Sequence, residues 1–307
     1  MANGPEEGGG VAPAGSSLLF YGFITLILFG PLAFGAVEDW AILTQQCAAA
    51  ALFMVGAAGA WRSGIAIRRN QLYLPLALLV LTAAAQLIFH ASAYQYASEI
   101  AALQYVAYYL IFFLANQVLA APERLKRFVA VLTGFGFLLA VVSIVLEFAS
   151  PVKLYGLRVT NNGSAIYGPY VNHSHYAGLM EMLTPFPLVM ALRRSVRGEH
   201  KLPWIVAGFF MAASVFLSGS RGGGLAFACE LVLVAGLFLV RNRSRAAKMG
   251  TAVAFCLLAA MVLWFGASGF LERWGDLSHT ELTRRVRLQI ASDTLRMTAA
   301  RPVLGWG

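Results

Sequence analysis

Residues 203–240 read PWIVAGFFMAASVFLSGSRGGGLAFACELVLVAGLFLV, and this stretch decides the fold. Between Lys201 and Arg241 the chain carries only two charged residues, Arg221 and Glu230. The apolar sequence on each side of Arg221 is long enough to cross a bilayer, which takes about 20 residues of helix. A guanidinium in such a stretch costs free energy, so it is expected to face a partner or a water-filled cavity. The sequence favours an anion as that partner.

The whole chain shares this apolar character. Of its 307 residues 59% are hydrophobic and 12% are charged, whereas about 25% of a soluble domain is charged. Long unbroken apolar runs predict an all-α, polytopic transmembrane helix bundle rather than a β-barrel. The net charge of +9 does not call for nucleic acid, because basic residues of membrane proteins gather in cytoplasmic loops. The three cysteines lie in apolar runs without metal-site spacing and are expected to be core residues: Cys47, Cys229 and Cys256.

Nine hydrophobic runs predict about nine transmembrane spans within a domain covering residues 17–268. They are 17–37, 41–61, 72–90, 98–119, 127–149, 174–192, 203–220, 222–240 and 247–268. Residues 1–16 are rich in Gly, Pro and Ala and lack the pattern of a cleavable signal peptide, so we expect a disordered tail.

The basic residues predict the orientation of the chain in the membrane. Four loops that fall on one side of a nine-span topology hold fourteen of the 23 Lys and Arg residues: Arg62, Arg68, Arg69; Arg124, Lys126, Arg127; Arg193, Arg194, Arg197, Lys201; Arg241, Arg243, Arg245, Lys248. These loops and the N-terminus are therefore predicted to be cytoplasmic. Segments 150–173, 218–224 and 269–307 are predicted to be extracytoplasmic.

The last segment, 269–307, is predicted to begin a large extracytoplasmic loop. Within 279–301, apolar residues recur at near-helical spacing with arginines between them, which predicts an amphipathic helix on the outer surface. This helix either attaches to the membrane surface or forms an arginine-bearing lid over Arg221. The stretch 301–307 resembles a turn that leads onward, so we expect the natural sequence to continue into the rest of the loop and further spans.

The turn around Arg221 has the features of a phosphate site. Arginine binds phosphate in a bidentate manner, and Ser218 and Ser220 add hydroxyls. Gly222 and the two glycines after it let a ligand or another helix approach closely, and the start of the next helix favours an anion. The alternative is a structural arginine paired with Glu181 or Glu230. Both carboxylates are expected to lie deeper in their spans than Arg221, which favours the anion site.

A second candidate segment, 150–176, leads into the sixth span. It contains Arg158, Asn172, and the pair His173 and His175, which is suited to binding a metal or moving protons. The alternative is interfacial hydrogen bonding beside an aromatic belt of Tyr167, Tyr170 and Tyr176. Interfacial hydrogen bonding is favoured because no third and fourth metal ligand is evident nearby. No Asp-x-Asp pair or nucleotide-binding fingerprint appears, so we expect neither a metal nor a cofactor.

Three motifs together resemble the O-antigen ligase and polymerase superfamily. Ser218 to Gly224 is similar to its Ser-Arg-Gly-Gly motif, and Asn172 to Leu179 followed by Pro185 is similar to its Asn-rich entry into an earlier helix. Arg287-Leu288-Gln289-Ile290, Asp293 to Met297 and Arg301 to Gly307 are similar to the start of its large periplasmic loop. The resemblance covers about residues 165–307, whereas the earlier spans match in number and hydropathy only.

The resemblance implies a metal-independent glycosyltransferase of the bacterial inner membrane, acting as a monomer at its periplasmic face. Such an enzyme moves a glycan from a polyprenyl (undecaprenyl) diphosphate carrier to an acceptor hydroxyl of lipid A–core or a growing polysaccharide. By motif match, Arg221 binds the donor diphosphate and Arg287 is the loop arginine that joins it. The family places an important histidine later in the loop, after the point where this sequence ends, so the chain as given is expected to be inactive.

Two other classes of function remain open at this stage. A polytopic transporter for an anionic substrate would place Arg221 in the transport pathway, but neither internal repeats nor a midplane position of Arg221 supports it. A structural membrane protein is the third possibility, and the outward-facing arginines argue against it. The visible motifs are shared by ligases, polymerases and protein-glycosylating relatives, so they do not distinguish the donor sugar or the acceptor.

Overall fold

The computed structural model describes residues 14–64, 67–149, 153–155, 158–159, 166–193, 198–241, 277–302 and 305–306. The described chain is predominantly helical, which confirms the all-α class. Its helices are α1 Ala14–Leu32, α2 Asp39–Ser63, α3 Tyr73–Ile88, α4 Gln95–Val118, α5 Pro122–Ala149, α6 His173–Leu183, α7 Pro185–Leu192, α8 Leu202–Leu217, α9 Arg221–Arg241 and α10 Leu277–Ala300, with a 3-10 turn at Gly198–Lys201 before α8. Two short strands, β1 Lys153–Leu154 and β2 Arg158–Val159, form an antiparallel pair.

Four described helices are long and apolar enough to cross a membrane: α2, α4, α5 and the Gly222–Val240 part of α9. Three shorter apolar helices accompany them, namely Ser17–Leu32 of α1, α3 and α8. Eight of the nine predicted spans coincide with helices in the described ranges. The ninth, 247–268, lies outside the described residues, so the count of nine stays a prediction. Helix α1 begins at Ala14, slightly before the predicted end of the disordered tail.

The sixth predicted span, 174–192, is interrupted rather than continuous. Helix α6 ends at Leu183, Thr184 forms a turn, and α7 begins at Pro185. Proline has no N–H and its ring clashes with the preceding turn, so it commonly breaks a helix. At the end of α6 the carbonyl of Met180 accepts from both the hydroxyl and the backbone N–H of Thr184, at 2.6 and 2.8 Å. Hydropathy alone did not indicate this break.

One compact unit of the chain contains residues 36–126, most of α1, and residues 297–307. Within it, α4 packs against both α2 and α3. At one end of α4, the backbone N–H of Arg68 donates to Gln117 Oε1 at 3.0 Å. At the other end, the backbone N–H of Ala93 in the α3–α4 turn donates to the carbonyl of Trp306 at 2.7 Å.

The second unit contains residues 127–296 and the short segment 31–35. Helices α6, α7, α8 and α9 pack against one another in it. Its core includes Met180, Met211, Val215 and Phe227, whose side chains are all fully buried. Tyr155, directly after β1, also belongs to this unit, and its hydroxyl donates to the carbonyl of Leu32 at 3.0 Å.

Candidate functional site

The N-terminus of α6 meets the turn between α8 and α9. His173 Nδ1 lies 2.8 Å from the carbonyl oxygen of Ser218. Because a carbonyl oxygen only accepts, this hydrogen bond places the imidazole proton on Nδ1. One residue further along α6, the Ser174 hydroxyl lies 3.3 Å from the hydroxyl of Ser220. Two of the three sequence motifs are therefore neighbours in space.

The α8–α9 turn is built by its serines and its first glycine. Gly219 has a φ of +69°, a left-handed conformation that glycine adopts at little cost. The Ser218 hydroxyl donates to the carbonyl of Val215 at 2.6 Å. The Ser220 hydroxyl accepts from the backbone N–H of Gly223 at 3.1 Å, which is the contact of a helix N-cap. Both serine side chains are buried, with 6% of their surface exposed.

The N-cap leaves the first backbone groups of α9 available to a ligand. Helix geometry gives the N–H groups of Arg221 and Gly222 no carbonyl partner within the helix. Gly222 is exposed, and a Cβ built on it has no neighbour within 4 Å. The positive end of the helix dipole lies at the same place. These features suit an anion approaching the backbone from outside.

The next glycine has a different role, because it is packed against α6. A Cβ built on Gly223 would lie 2.6 Å from the Cβ of Ala177 and 2.9 Å from Glu181 Oε1. Neither distance is tolerable for a real Cβ without movement of a neighbour. Of the two adjacent glycines, Gly222 is thus exposed, whereas Gly223 makes a close contact with α6.

The Glu181 carboxylate of α6 reaches the first turn of α9 at Gly223, two residues after Arg221. The Arg221 side chain lies outside the described residues, so the greater depth of Glu181 stays a prediction. A carboxylate at this place interacts favourably with the positive end of α9.

The capping residue of α6 is Asn172, whose side chain accepts from the backbone N–H of Ser174 at 2.8 Å. His175 is exposed in the first turn of α6. Residues two positions apart do not face each other on a helix, so His173 and His175 do not form a paired site. Among the described residues, no group of three His, Cys, Asp or Glu side chains is arranged to hold a metal ion.

The three tyrosines near this segment form a packed core rather than the predicted aromatic belt. Tyr167 and Tyr176 have 2% and 0% of their surfaces exposed, and their ring centroids lie 4.7 Å apart. Burial raises the pKa of the Tyr167 hydroxyl, and it raises the pKa of Tyr170 to about 12 with a smaller contribution from Tyr155. These hydroxyls therefore stay neutral at any physiological pH. The core supports the entry into α6.

For the three arginines predicted to form the site, the structure describes only the position of the backbone. Arg158 belongs to β2, Arg221 is the first residue of α9, and Arg287 lies within α10; their side chains lie outside what the structure describes. The described side chains of α10, at 286 and 288–300, are all exposed. The predicted helix over 279–301 is present as α10, and its described side chains do not pack against the α8–α9 turn.

Comparison with known families agrees with the motifs. The family model described as Wzy_C, O-antigen ligase, matches residues 206–307, which include the α8–α9 turn and α10. This match covers the C-terminal third of the chain and confirms the resemblance to the O-antigen ligase superfamily that the sequence motifs predicted. The chain has no match among the curated proteins or the solved structures.

Proposed function

We propose that this chain, whose residues 206–307 match the O-antigen ligase family, takes part in polysaccharide or lipopolysaccharide biosynthesis as a membrane glycosyltransferase. The donor is a glycan on a polyprenyl diphosphate, and the acceptor is a hydroxyl of lipid A–core or of a growing polysaccharide. The observation that carries the proposal is the α8–α9 turn. There an N-capped helix start, an exposed Gly222 and the backbone of Arg221 lie beside the N-terminus of α6, an arrangement suited to an anion.

The proposed reaction is a direct displacement at the anomeric carbon of the donor. The acceptor oxygen forms a bond to this carbon while the bond to the diphosphate oxygen breaks, and the bonding electrons leave with the diphosphate. The hydroxyl proton goes to a base, which the family pattern places later in the periplasmic loop. Arg221, joined by Arg287, neutralises the negative charge that develops on the leaving group. Fixed arginines can do this without a metal ion, so the proposed enzyme is metal-independent.

The remaining proposed site residues surround the same turn. Ser218 and Ser220 shape it through their buried, hydrogen-bonded hydroxyls, and Gly222 exposes its backbone there. Asn172 and His173 hold the N-terminus of α6 against it. His175 is exposed beside them and is proposed to face the glycan. Arg158 lies in the short strand β2 and is proposed as a further cation for the donor.

Contacts between loops support the proposed sidedness. The segments around Arg68 and Gln117, both assigned to the cytoplasm, touch each other. Trp306 and Tyr155 lie in segments assigned to the periplasm. Trp306 contacts Ala93, between the third and fourth predicted spans, and Tyr155 contacts Leu32, towards the end of the first, both on the periplasmic side by the same nine-span count. If the number of membrane crossings between two contacting segments were wrong by one, the predicted topology would place them on opposite sides of the bilayer.

The same contacts bear on the number of spans. From the α3–α4 turn the chain runs through α4, α5, α6 with α7, α8 and α9. If each crosses the membrane once, the chain leaves α9 on the side opposite to that turn. Because Trp306 contacts Ala93 in the turn, a further crossing is needed, which favours the proposed span at 247–268, outside the described residues.

An anion transporter is the second candidate, and one observation favours it. Transporters often build their substrate sites from interrupted helices, and the chain is interrupted between α6 and α7 at Thr184. Reconstitution in proteoliposomes separates the two functions. Anion flux without glycan transfer would support the transporter.

The test of the proposal is glycan transfer by the full-length protein in membranes. Arg221→Ala and Arg287→Ala are expected to lower transfer by at least about 100-fold, the usual effect of losing a charge-stabilising donor, at unchanged membrane abundance. A chelator such as EDTA is expected to leave wild-type transfer intact. Normal transfer by both alanine variants would exclude the proposed roles of the two arginines.

A further inference from the structure

The end of α10 is attached to the turn between α3 and α4. Arg301 Nη1 donates to the carbonyl of Ala91 at 2.9 Å. The backbone N–H of Ala93 donates in turn to the carbonyl of Trp306 at 2.7 Å. We call Arg301, Gly305 and Trp306 the α10 anchor. Its two hydrogen bonds join segments that are about 210 residues apart along the chain.

The α10 anchor is also held together internally. The Arg301 guanidinium lies 4.0 Å from the centroid of the Trp306 ring, a distance typical of a cation–π contact. Gly305 has a φ of +68°, which lets the backbone turn back after α10, and its N–H donates to the carbonyl of Arg301 at 3.1 Å. The anchor is thus a compact structure rather than a loose tail.

The same residues terminate the helix. The carbonyl of Met297 accepts both from the backbone N–H of Arg301 at 3.2 Å and from Trp306 Nε1 at 2.9 Å. The indole N–H is thus a second donor to a carbonyl in the last turn of α10. A movement of Trp306 therefore acts on the end of α10 directly.

We infer that Arg301 and Trp306 are positioning residues that tie α10 to the α3–α4 turn and thereby hold the helix that carries Arg287. The inference rests on the proposed function of Arg287 in donor binding. The described side chains 288–300 of α10 are exposed, so side-chain packing along that stretch does not fix the helix. Attachment at its end restricts where the arginine can go, and misplacement by about 1 Å can reduce a rate by about 100-fold.

A reversible crosslink tests this role. Ala93→Cys and Trp306→Cys are combined in a protein whose native cysteines are replaced by C47A, C229A and C256A. The backbone hydrogen bond between these two residues places them within the range of a disulfide. Trp306→Cys alone is expected to lower the kcat of transfer about 10- to 100-fold. Oxidation of the double variant is expected to restore transfer to within about threefold of the cysteine-free parent. Addition of a reductant is expected to lower transfer again to the level of Trp306→Cys.

Two milder variants separate the contacts of the anchor. Trp306→Phe keeps an aromatic ring beside Arg301 but loses the Nε1–H bond to Met297. Arg301→Lys keeps the charge but loses the planar group that stacks on the indole. Both are expected to lower kcat more than they change the KM for the acceptor. Ala93→Cys alone, with its backbone N–H intact, is the matched control and is expected to transfer at the parental rate.

The outcomes distinguish this inference from the proposed function. Disulfide formation is followed by gel mobility and needs no glycan, so its absence would overturn the anchor whatever the transfer assay shows. A disulfide that forms without restoring transfer would mean that Trp306 acts other than by attachment. If Arg221→Ala and Arg287→Ala transfer normally, the proposed function fails, although the crosslink still reports the contact.

Discussion

His173 Nδ1 and the carbonyl oxygen of Ser218 lie 2.8 Å apart, and this contact joins the N-terminus of α6 to the turn that precedes Arg221. The two residues are 45 positions apart in the chain. The proposed donor site therefore depends on tertiary packing as well as on its own motif. We expect His173 to set the position of the turn.

Removing the His173 side chain should loosen the turn. We expect His173→Ala to lower stability by about 1 kcal/mol, the usual net value of one hydrogen bond, and to lower glycan transfer. His173→Asn retains a donor near the position of Nδ1 and should recover most of the loss. Thermal unfolding in detergent and a transfer assay measure the two effects. Failure of the asparagine variant at normal stability would instead indicate proton transfer or metal binding by His173.

The neighbouring glycines of the motif should respond differently to the same substitution. Gly223→Ala introduces a Cβ against Ala177 and Glu181, and overpacking of this kind costs about 1–3 kcal/mol. Gly222→Ala has free space in the structure and should leave stability unchanged. Its added methyl group should nevertheless weaken donor binding, because it projects where the ligand is proposed to approach. Equal thermal stability of the two variants would contradict the described packing of α6 on α9.

Neutralising Glu181 should distinguish a competing charge from a structural partner of Arg221. We expect Glu181→Gln to strengthen binding of the donor diphosphate by about two- to fivefold, equivalent to about 0.3–1 kcal/mol at a helix N-terminus. A negative charge beside the site is removed while the side-chain shape is kept. Glu230→Gln, two turns further along α9, is the control and should have a smaller effect. Weaker binding together with lower stability would favour a Glu181–Arg221 pair.

The proposed sidedness predicts which positions a membrane-impermeant thiol reagent can reach. In a protein lacking its native cysteines, Ala93→Cys in the α3–α4 turn should be labelled from the periplasm. Gln71→Cys, exposed between α2 and α3, should be labelled only after the membrane is permeabilised. Labelling of both from the same side would overturn the assignment from basic residues.

The sequence predicted the helices well because the bilayer imposes one strong rule, a long apolar run for each crossing. Eight predicted spans contain helices on that basis. The break at Thr184 was not predicted, since hydropathy does not register the missing N–H of Pro185. Tyr167 and Tyr176 were misassigned to a lipid-facing belt because aromatic residues at a span end can face lipid or protein, and composition does not distinguish the two.

The candidate site was predicted in its motifs but not in its contacts. Helix-start chemistry and glycine spacing identified the turn at Ser218 to Gly224. The bond from His173 to Ser218, the approach of Glu181 to Gly223 and the attachment of Trp306 to Ala93 all join distant segments. Patterns in a single sequence describe periodicity over neighbouring residues. Contacts between residues that are far apart in the chain therefore leave no pattern by which to predict them.

The most direct test of the proposed role of Arg221 is binding of glycan-free polyprenyl diphosphate to the purified protein, measured beside polyprenyl monophosphate. We expect wild-type protein to prefer the diphosphate, and Arg221→Ala to lower this preference at least tenfold, about 1.4 kcal/mol, without loss of thermal stability. Arg221→Lys should retain part of it, because lysine supplies charge without the bidentate fork. Unchanged preference in the alanine variant would contradict the central claim that Arg221 binds the donor diphosphate.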